Sequence, residues 1–325
     1  MIELTKSLSR QWSRIGPRGI YGLSLLHFAE INSNIFAISA DLGNSSGLDR
    51  YKSSIPERFL NIGIAEQHMI GFSAGLSTCG FNVFASSFAP FLSLRSGEQV
   101  RMNLSYMQSN VKVVAIGSGI SMGYLGNSHF GLEDISIIRS MPNILIVNPC
   151  DCFEVYKAVE ALVDYEGPAY LRLTGAAPAP IVHKENYEFK LGESYSLMEG
   201  NEILFLTYGS MVQPSLIAAK KLIENNGSSV QLQNIHTLRP LDQNIVDLIN
   251  SFKYIFVIEE HSLIGGLSTI VSEIIAKEDK GPKIFKTLSL PPTFLKSGTY
   301  EVLLDKYSLS SEKIYSFVVN NLKIN

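Results

Sequence analysis

The sequence predicts an α/β protein built from two doubly wound domains. Runs of apolar and β-branched residues alternate with longer runs of helical periodicity, as in parallel strands joined by crossover helices. A stretch that contains Pro178 and Pro180 interrupts this alternation near the middle of the chain, and the alternation then resumes. The length of 325 residues also suits two domains.

The first set of elements begins with a predicted strand that ends at Asp41 and is followed by a loop rich in glycine and serine. The clearest later strand is VKVVAIG, a short and mostly apolar run. The predicted strands are Asn34–Ala40, Phe81–Ser87, Val111–Gly117, Ile144–Asn148 and Ala169–Leu173. The predicted helices are Gly19–Ile31, Ile64–Thr78, Leu92–Ser109, Glu133–Met141 and Cys152–Asp164.

The segment Gly175–Tyr187 has the proline and polar content of a linker. Beyond it, the predicted strands are Glu202–Thr207, Ser229–Asn234 and Tyr254–Glu259, and the predicted helices are Val212–Asn225, Asp242–Asn250 and Leu267–Lys277. We therefore expect one domain at residues 1–188 and a second at residues 189–325.

Composition excludes several classes of function. The hydrophobic fraction of 46% and charged fraction of 18% suit ordinary large cores. The net charge of −3, without a basic stripe and interleaved aromatic residues, argues against a nucleic-acid surface. The first residues lack the apolar core of a signal peptide, and no apolar run is long enough to span a bilayer. We therefore expect a soluble, cytoplasmic protein without a membrane partner.

The three cysteines, Cys79, Cys150 and Cys152, make a poor disulfide framework, which fits a reducing compartment. Cys150 and Cys152 lie in Asn-Pro-Cys-Asp-Cys, but no second Cys/His pair has the spacing of zinc ligands. We interpret them as structural and expect no metal ligands from this chain.

Ligands of doubly wound sheets usually bind beyond the carboxyl ends of the strands. Five positions of this chain fall there: Asp41, Ser45, Phe88, the loop after Gly117 and the loop after Tyr208.

Glu66 is the most informative residue. The stretch Arg58–His68 reads RFLNIGIAEQH, and small and apolar residues follow it through Leu76. At a helical period this segment is apolar on nearly every side, which predicts a buried helix. A carboxylate at its start is costly unless something pairs with it, so Glu66 is a functional-site candidate.

Several motifs then resemble one family in order and spacing. Arg58–Gly75 resembles the Gly-Ile-Ala-Glu-Gln helix of the transketolase family of thiamine diphosphate enzymes, and Ser118–Ser140 resembles the family loop that ends in Thr-His. Further matches, to the transketolase C-terminal domain, are Thr207–Ser210, Arg239–Asp242, Glu259–Gly266 and Lys296–Gly298. The resemblance covers almost the whole chain. It implies a pyrimidine-binding domain with a parallel sheet, followed by the C-terminal domain of that family.

The resemblance also implies roles for single residues. Glu66 would hydrogen-bond N1' of the cofactor pyrimidine and drive the imino tautomer that removes the C2 proton. Phe88 and Phe91 would line the pyrimidine site. His129 would be catalytic, near the substrate hydroxyls.

Arg18 and Ser45 match two positions that help to hold the phosphate of a sugar acceptor. Three other phosphosugar-binding positions of the family are changed here: a histidine, an acid and an arginine correspond to Gly117, Leu125 and Gly175. The loss of His and Arg removes charge-assisted donors to a phosphate monoester. We therefore expect a sugar or aldehyde acceptor other than an ordinary pentose phosphate, such as a nucleotide-linked sugar or a non-phosphorylated aldehyde.

The Gly-Asp-Gly motif with which the family binds Mg²⁺ and the diphosphate does not occur in this sequence. The resemblance therefore implies a separate N-terminal, diphosphate-binding subunit that supplies the Mg²⁺ ligands. The expected assembly is an α2β2 heterotetramer that carries out two-carbon ketol transfer.

Two alternatives stay open. The β subunit of a 2-oxo acid dehydrogenase has the same domain order, although its helix usually starts with Ser-Glu. A non-catalytic subunit of the same fold is the other, since fold alone does not guarantee activity.

Overall fold

The computed structural model describes residues 4–175, 177–278 and 281–323. Its strands are β1 Ile35–Ser39, β2 Phe59–Asn61, β3 Asn82–Phe88, β4 Val111–Ser118, β5 Leu145–Val147, β6 Ala169–Thr174, β7 Tyr195–Met198, β8 Ile203–Thr207, β9 Val230–Asn234, β10 Thr237–Arg239, β11 Tyr254–Ser262 and β12 Ile284–Leu290. Its helices are α1 Lys6–Ile15, α2 Pro17–Ile31, α3 Asp49–Ser54, α4 Glu66–Thr78, α5 Gly97–Gln99, α6 Asp134–Arg139, α7 Cys152–Asp164, α8 Val212–Asn226, α9 Asn244–Ser251, α10 Leu267–Ile275, α11 Tyr300–Lys306 and α12 Ser311–Leu322.

The first sheet has the strand order β10-β5-β6-β4-β3-β1-β2. All its neighbours run parallel except β10, which pairs antiparallel with β5. Strands β3, β4 and β6 are buried along their whole length, as expected for a parallel sheet with helices on both faces. The predicted doubly wound α/β class is confirmed.

The second sheet has the order β12-β11-β8-β9-β7, and β7 is its antiparallel edge strand. The proposed division after residue 188 falls between β6 and β7, where the described residues form neither helix nor strand. Ala176, within the predicted linker, lies outside the described residues. Strand β10 crosses this division, because it follows β9 in the chain but joins the first sheet.

Helix α4 differs from its prediction. Glu66, Met69, Ile70, Ser73 and Ala74 are buried, but the opposite face is exposed. That face carries Gln67, His68, Gly71, Phe72 and Gly75. The prediction of burial on nearly every side is therefore wrong for this chain by itself. The uncovered face of α4 carries the polar Gln67 and His68 together with the glycines and Phe72.

The helix predicted at Leu92–Ser109 contains two π-helical segments, Phe91–Arg95 and Val100–Tyr106. Such segments often occur at functional sites, because they shift the register of the side chains around them. Within the described residues, no helix is both long and apolar enough to cross a membrane.

Candidate active site

Glu66 is the first residue of α4, and only 1% of its side chain is exposed. Ser87, near the end of β3, donates a hydrogen bond to its Oε1 at 3.1 Å. Arg95 Nη1 donates to its Oε2 at 2.7 Å. These two donors offset the cost of burying the carboxylate and fix the direction in which it points.

Ser87 and Arg95 were not predicted as site residues. Ser87 lies in the interval that the sequence identifies as a strand, and strand periodicity does not show what a serine contacts. Arg95 meets Glu66 across 29 residues of sequence, in a π-helical segment, so helical periodicity does not show the pairing either.

Three rings pack edge to face beside this carboxylate. The ring of Phe88 lies 5.8 Å from that of Phe91 and 5.2 Å from that of His129, between centroids. Phe91 and His129 are 5.3 Å apart, and the Arg95 guanidinium carbon lies 4.1 Å from the Phe91 ring centre. Arg95 therefore joins the three rings to Glu66. The structure places Glu66, Phe88, Phe91 and His129, four of the candidate site residues, in one group.

His129 lies at the end of the loop between β4 and α6. Its Nδ1 is 2.9 Å from the hydroxyl oxygen of Ser128. Partial burial, and then the positive charge of Arg95, lower the pKa of His129 below its ordinary value. The neutral imidazole is therefore favoured near pH 7, and it can accept a proton.

Residues of the C-terminal part hold this loop from two sides. Asn127 Nδ2 donates to the carbonyl of Leu295 at 2.7 Å, and the Leu295 N–H donates back to Asn127 Oδ1 at 2.8 Å. The N–H of Ile120 donates to Glu260 Oε1 at 2.6 Å. Gly119 is required beside it, because a Cβ there would lie 2.1 Å from the same oxygen. The position of His129 thus depends on both halves of the chain.

Arg18 and Ser45 form a second group. Arg18 Nη1 donates to the carbonyl of Ser45 at 3.4 Å. The loop that carries Ser45 packs tightly on α2, since a Cβ at Gly22 would lie 1.9 Å from the Gly47 oxygen. No hydrogen bond or ion pair joins Arg18 or Ser45 to Glu66 or His129 in the part of the chain that the structure describes.

The three changed positions differ in their surroundings. A Cβ at Gly117 would lie 2.7 Å from the Met122 sulfur and 3.1 Å from the Phe88 ring, so no histidine fits there without movement. Leu125 is 50% exposed. A Cβ at Gly175 would meet no atom within 4 Å. Neighbouring atoms therefore leave no room for a side chain at Gly117, whereas the space beside Gly175 is empty.

Cys150, Asp151 and His183 form a buried group whose ligand atoms all lie within 4.8 Å of one another. The Asp151 carboxylate already accepts hydrogen bonds from the backbone of Glu154, Val182 and His183. Burial, and then the negative charge of Glu154, raise the pKa of the Cys150 thiol. Because the Asp151 carboxylate is already bound by three backbone donors, this geometry fits a structural group better than a metal centre.

Two family models match the chain: "Transketolase, pyrimidine binding domain" over residues 15–177 and "Transketolase, C-terminal domain" over residues 192–314. The chain belongs to the transketolase family. The predicted resemblance is therefore confirmed. Transketolases depend on thiamine diphosphate and are transferases. Membership of this family therefore implies dependence on thiamine diphosphate.

Several relatives of similar length carry names of transketolase sections, subunits or split-gene products. A putative transketolase C-terminal section from Methanocaldococcus jannaschii is 34% identical and covers 95% of this chain and 96% of its own. One of the subunits of an apulose-4-phosphate transketolase, from Phocaeicola vulgatus, is 32% identical, and the match covers 90% of this chain and 92% of that subunit. A solved structure described as "Split gene transketolase, inactive beta4 tetramer" has a TM-score of 0.83 and 31% identity, and the match covers 95% of this chain and 98% of that one. Such subunits imply a partner chain.

Proposed function

We propose that this chain is the pyrimidine-binding subunit of a two-chain transketolase, which moves a two-carbon ketol unit from a ketose to an aldehyde or sugar acceptor. In that reaction the C2–C3 bond of the donor breaks and a bond to the aldehyde carbon forms. The C3 hydroxyl of the donor gives up a proton, and the aldehyde oxygen gains one. The observation that carries the proposal is the buried Glu66 carboxylate beside Phe88, Phe91 and His129, in a chain of this family.

The described residues fit the pyrimidine half of thiamine diphosphate. Each oxygen of the Glu66 carboxylate accepts one hydrogen bond and keeps a lone pair for another donor. Phe88 and Phe91 offer apolar ring surface next to it. When bound, thiamine diphosphate supplies the nucleophilic carbon of the reaction. Glu66 would hold the pyrimidine N1' in its protonated state, and Ser87 and Arg95 would keep the carboxylate in place.

His129 is the proposed acid–base residue of this chain. It lies against both phenylalanine rings, and its lowered pKa favours the neutral imidazole. It would take a proton from a sugar hydroxyl and return it to the new hydroxyl of the product. Arg18 and Ser45 would orient the acceptor.

The Mg²⁺ ligands and the diphosphate site are assigned to a partner subunit, in an α2β2 assembly. An exposed apolar surface next to Glu66 supports this assignment. Its members are Ile64 (77% exposed), Phe72 (39%), Leu94 (56%), Met102 (38%) and Tyr106 (76%). We call it the α4 surface. An exposed apolar patch of this kind marks a protein interface.

The test is ketol transfer by this chain alone, by the partner alone and by the two chains together. We expect turnover only from the mixture, and turnover by this chain alone would contradict the two-chain assignment. In the mixture, Glu66→Gln should lower kcat by at least about 100-fold, because a carboxamide holds no proton on N1'. An unchanged rate would instead favour a non-catalytic subunit. Lipoyl-dependent transfer would favour a 2-oxo acid dehydrogenase.

A further inference from the structure

A cleft of about 570 Å³ lies between the start of α2, the end of β6 and the starts of α8 and α11. Its lining includes Pro17, Thr174, Gly175, Ser210, Gln213 and Tyr300. Its volume falls within the range of small-molecule sites, about 300–1,000 Å³. None of the residue roles in the proposed reaction involves this cleft.

The cleft opens at the same edge of the first sheet as the three rings. β4 lies between β3, which ends at Phe88, and β6, which ends at Thr174, and all three strands are parallel. At about 4.8 Å per strand, Thr174 is on the order of 10 Å from Phe88. Gly175 keeps the entrance open, and Pro17 of the lining precedes Arg18. The cleft therefore adjoins the proposed acceptor residues.

The lining lacks the groups that hold a phosphate. Its charged members among the described residues are the acids Asp151 and Glu301. Asp151 is occupied by backbone donors, whereas Glu301 is exposed at the rim. A phosphate monoester would meet a carboxylate there and no charge-assisted donor. The hydroxyls of Ser210 and Tyr300 already donate to the buried Glu260 carboxylate, so their oxygens can accept hydrogen bonds from a ligand. Together with the Gln213 amide and the prolines of the lining, they suit an uncharged ligand that carries hydroxyl groups and C–H faces.

Asn148 lies behind the lining of the cleft and is not itself a member of that lining. It is fully buried, and both polar atoms of its amide lack a hydrogen-bond partner within the described ranges. It precedes Pro149 of the lining and lies against Gly209, where a Cβ would be 2.2 Å from Asn148 Oδ1 and 2.9 Å from Thr174 Oγ1. The layer of the protein directly behind Pro149 and Thr174 is therefore polar, although this amide does not itself reach the cleft.

We propose that this cleft binds the tail of the acceptor, the uncharged and hydroxylated carbons remote from its aldehyde. The acceptor class is therefore an unphosphorylated aldose long enough to reach from the three rings to Gly175. This assignment rests on the proposed transketolase function and names the substrate of the same site.

The first test compares two acceptors in the two-chain enzyme, with L-erythrulose as donor. Glycolaldehyde is too short to reach the cleft, whereas D-glucose carries four further hydroxylated carbons toward it. Gln213→Leu should raise the KM for D-glucose about tenfold and leave that for glycolaldehyde unchanged, because it removes hydrogen bonds made only by the longer acceptor. Glu224→Leu is the control: it makes an exposed polar-to-leucine change on α8 away from the cleft.

The second test reverses the charge at the rim. Wild type should use D-ribose at least as well as D-ribose 5-phosphate, and Glu301→Lys should lower the KM for the phosphate alone. A wild-type preference for the phosphate, or equal effects of Gln213→Leu on both acceptors of the first test, would overturn the cleft assignment. Absence of transfer to glycolaldehyde would instead overturn the transketolase function itself.

Discussion

Arg95 shows how one side chain can connect the parts of a site. It binds the Glu66 carboxylate, stacks on Phe91 and lies close enough to His129 to lower its pKa. Arg95 is itself 45% exposed, so one side of the guanidinium faces solvent or an incoming ligand. We therefore regard it as the residue that couples the cofactor carboxylate to the acid–base histidine.

A first prediction concerns this coupling. Arg95→Gln removes the positive charge, so the pKa of His129 should rise toward its ordinary value. NMR titration of the imidazole in the isolated chain measures this without any turnover. Arg101→Gln is the control, because Arg101 is exposed and pairs with Glu98. A His129 titration that is the same in Arg95→Gln and wild type would contradict the coupling.

A second residue-scale prediction concerns the buried pair of His183 and Glu154, whose Nε2 and Oε1 lie 2.9 Å apart. Burial alone would raise the pKa of Glu154, but the charge and hydrogen bond of His183, with His236 and Tyr187, bring it to about 2. Burial would lower the pKa of His183, but Glu154 and then Asp151 raise it. The contribution of the Glu154 charge to the free energy of unfolding is lost as pH falls from about 4.5 toward 2. The contribution of the His183 charge to the same free energy is lost as pH rises above about 6.5.

His183→Gln should therefore lower the free energy of unfolding by about 3–5 kcal/mol near pH 5.5 and by less at pH 9, where wild type has lost the charged histidine. Urea unfolding at both pH values measures the difference. The double variant Glu154→Gln/His183→Gln leaves no unpaired charge and should cost less at pH 5.5. An equal loss from His183→Gln at both pH values would show that the pair contributes no charge interaction.

At the scale of elements, the loop between β4 and α6 is held by groups distant in sequence. Asn127 is the clearest case, since both atoms of its amide pair with the backbone of Leu295. The sequence predicts the functional loop and His129, but not the pairing of Asn127 with Leu295, because hydrogen bonds across 168 residues leave no local pattern.

Asn127→Ala should lower kcat/KM of the two-chain enzyme about tenfold, because His129 loses its fixed position. Hydrogen exchange of residues 119–131 should increase in the same variant. Asn127→Asp keeps the acceptor for the Leu295 N–H and should fall between Asn127→Ala and wild type in both measurements. Equal exchange in all three proteins would mean that the loop is held elsewhere.

The elements that the sequence predicts well are the central strands, such as β4 and β8, because each is a short apolar run buried on both faces. Four strands were not predicted: β2, β7, β10 and β12. Of these, β2 and β10 have three residues each, too few to show a period. The exposed face of α4 was also missed, because an apolar pattern has the same appearance whether the chain itself or a partner covers it.

At the scale of the whole molecule, the α4 surface gives a prediction about assembly. Leu94→Asp should weaken binding to the diphosphate-binding subunit by at least about tenfold, because it places a charge at an apolar interface. Light scattering of the mixed chains measures this, and the unfolding midpoint of the isolated variant should match wild type. Phe294→Asp is the control, since Phe294 is 91% exposed on the C-terminal part. Equal weakening by both variants would argue against an interface at the α4 surface.

Strand β10 also bears on how a gene for this fold can be divided. A break between the two proposed domains would leave β5 as an open sheet edge in one product and β10 without a partner strand in the other. Either fragment would then be prone to aggregate through that edge. We therefore expect that a gene fission in this fold keeps the first and second sheets in one polypeptide.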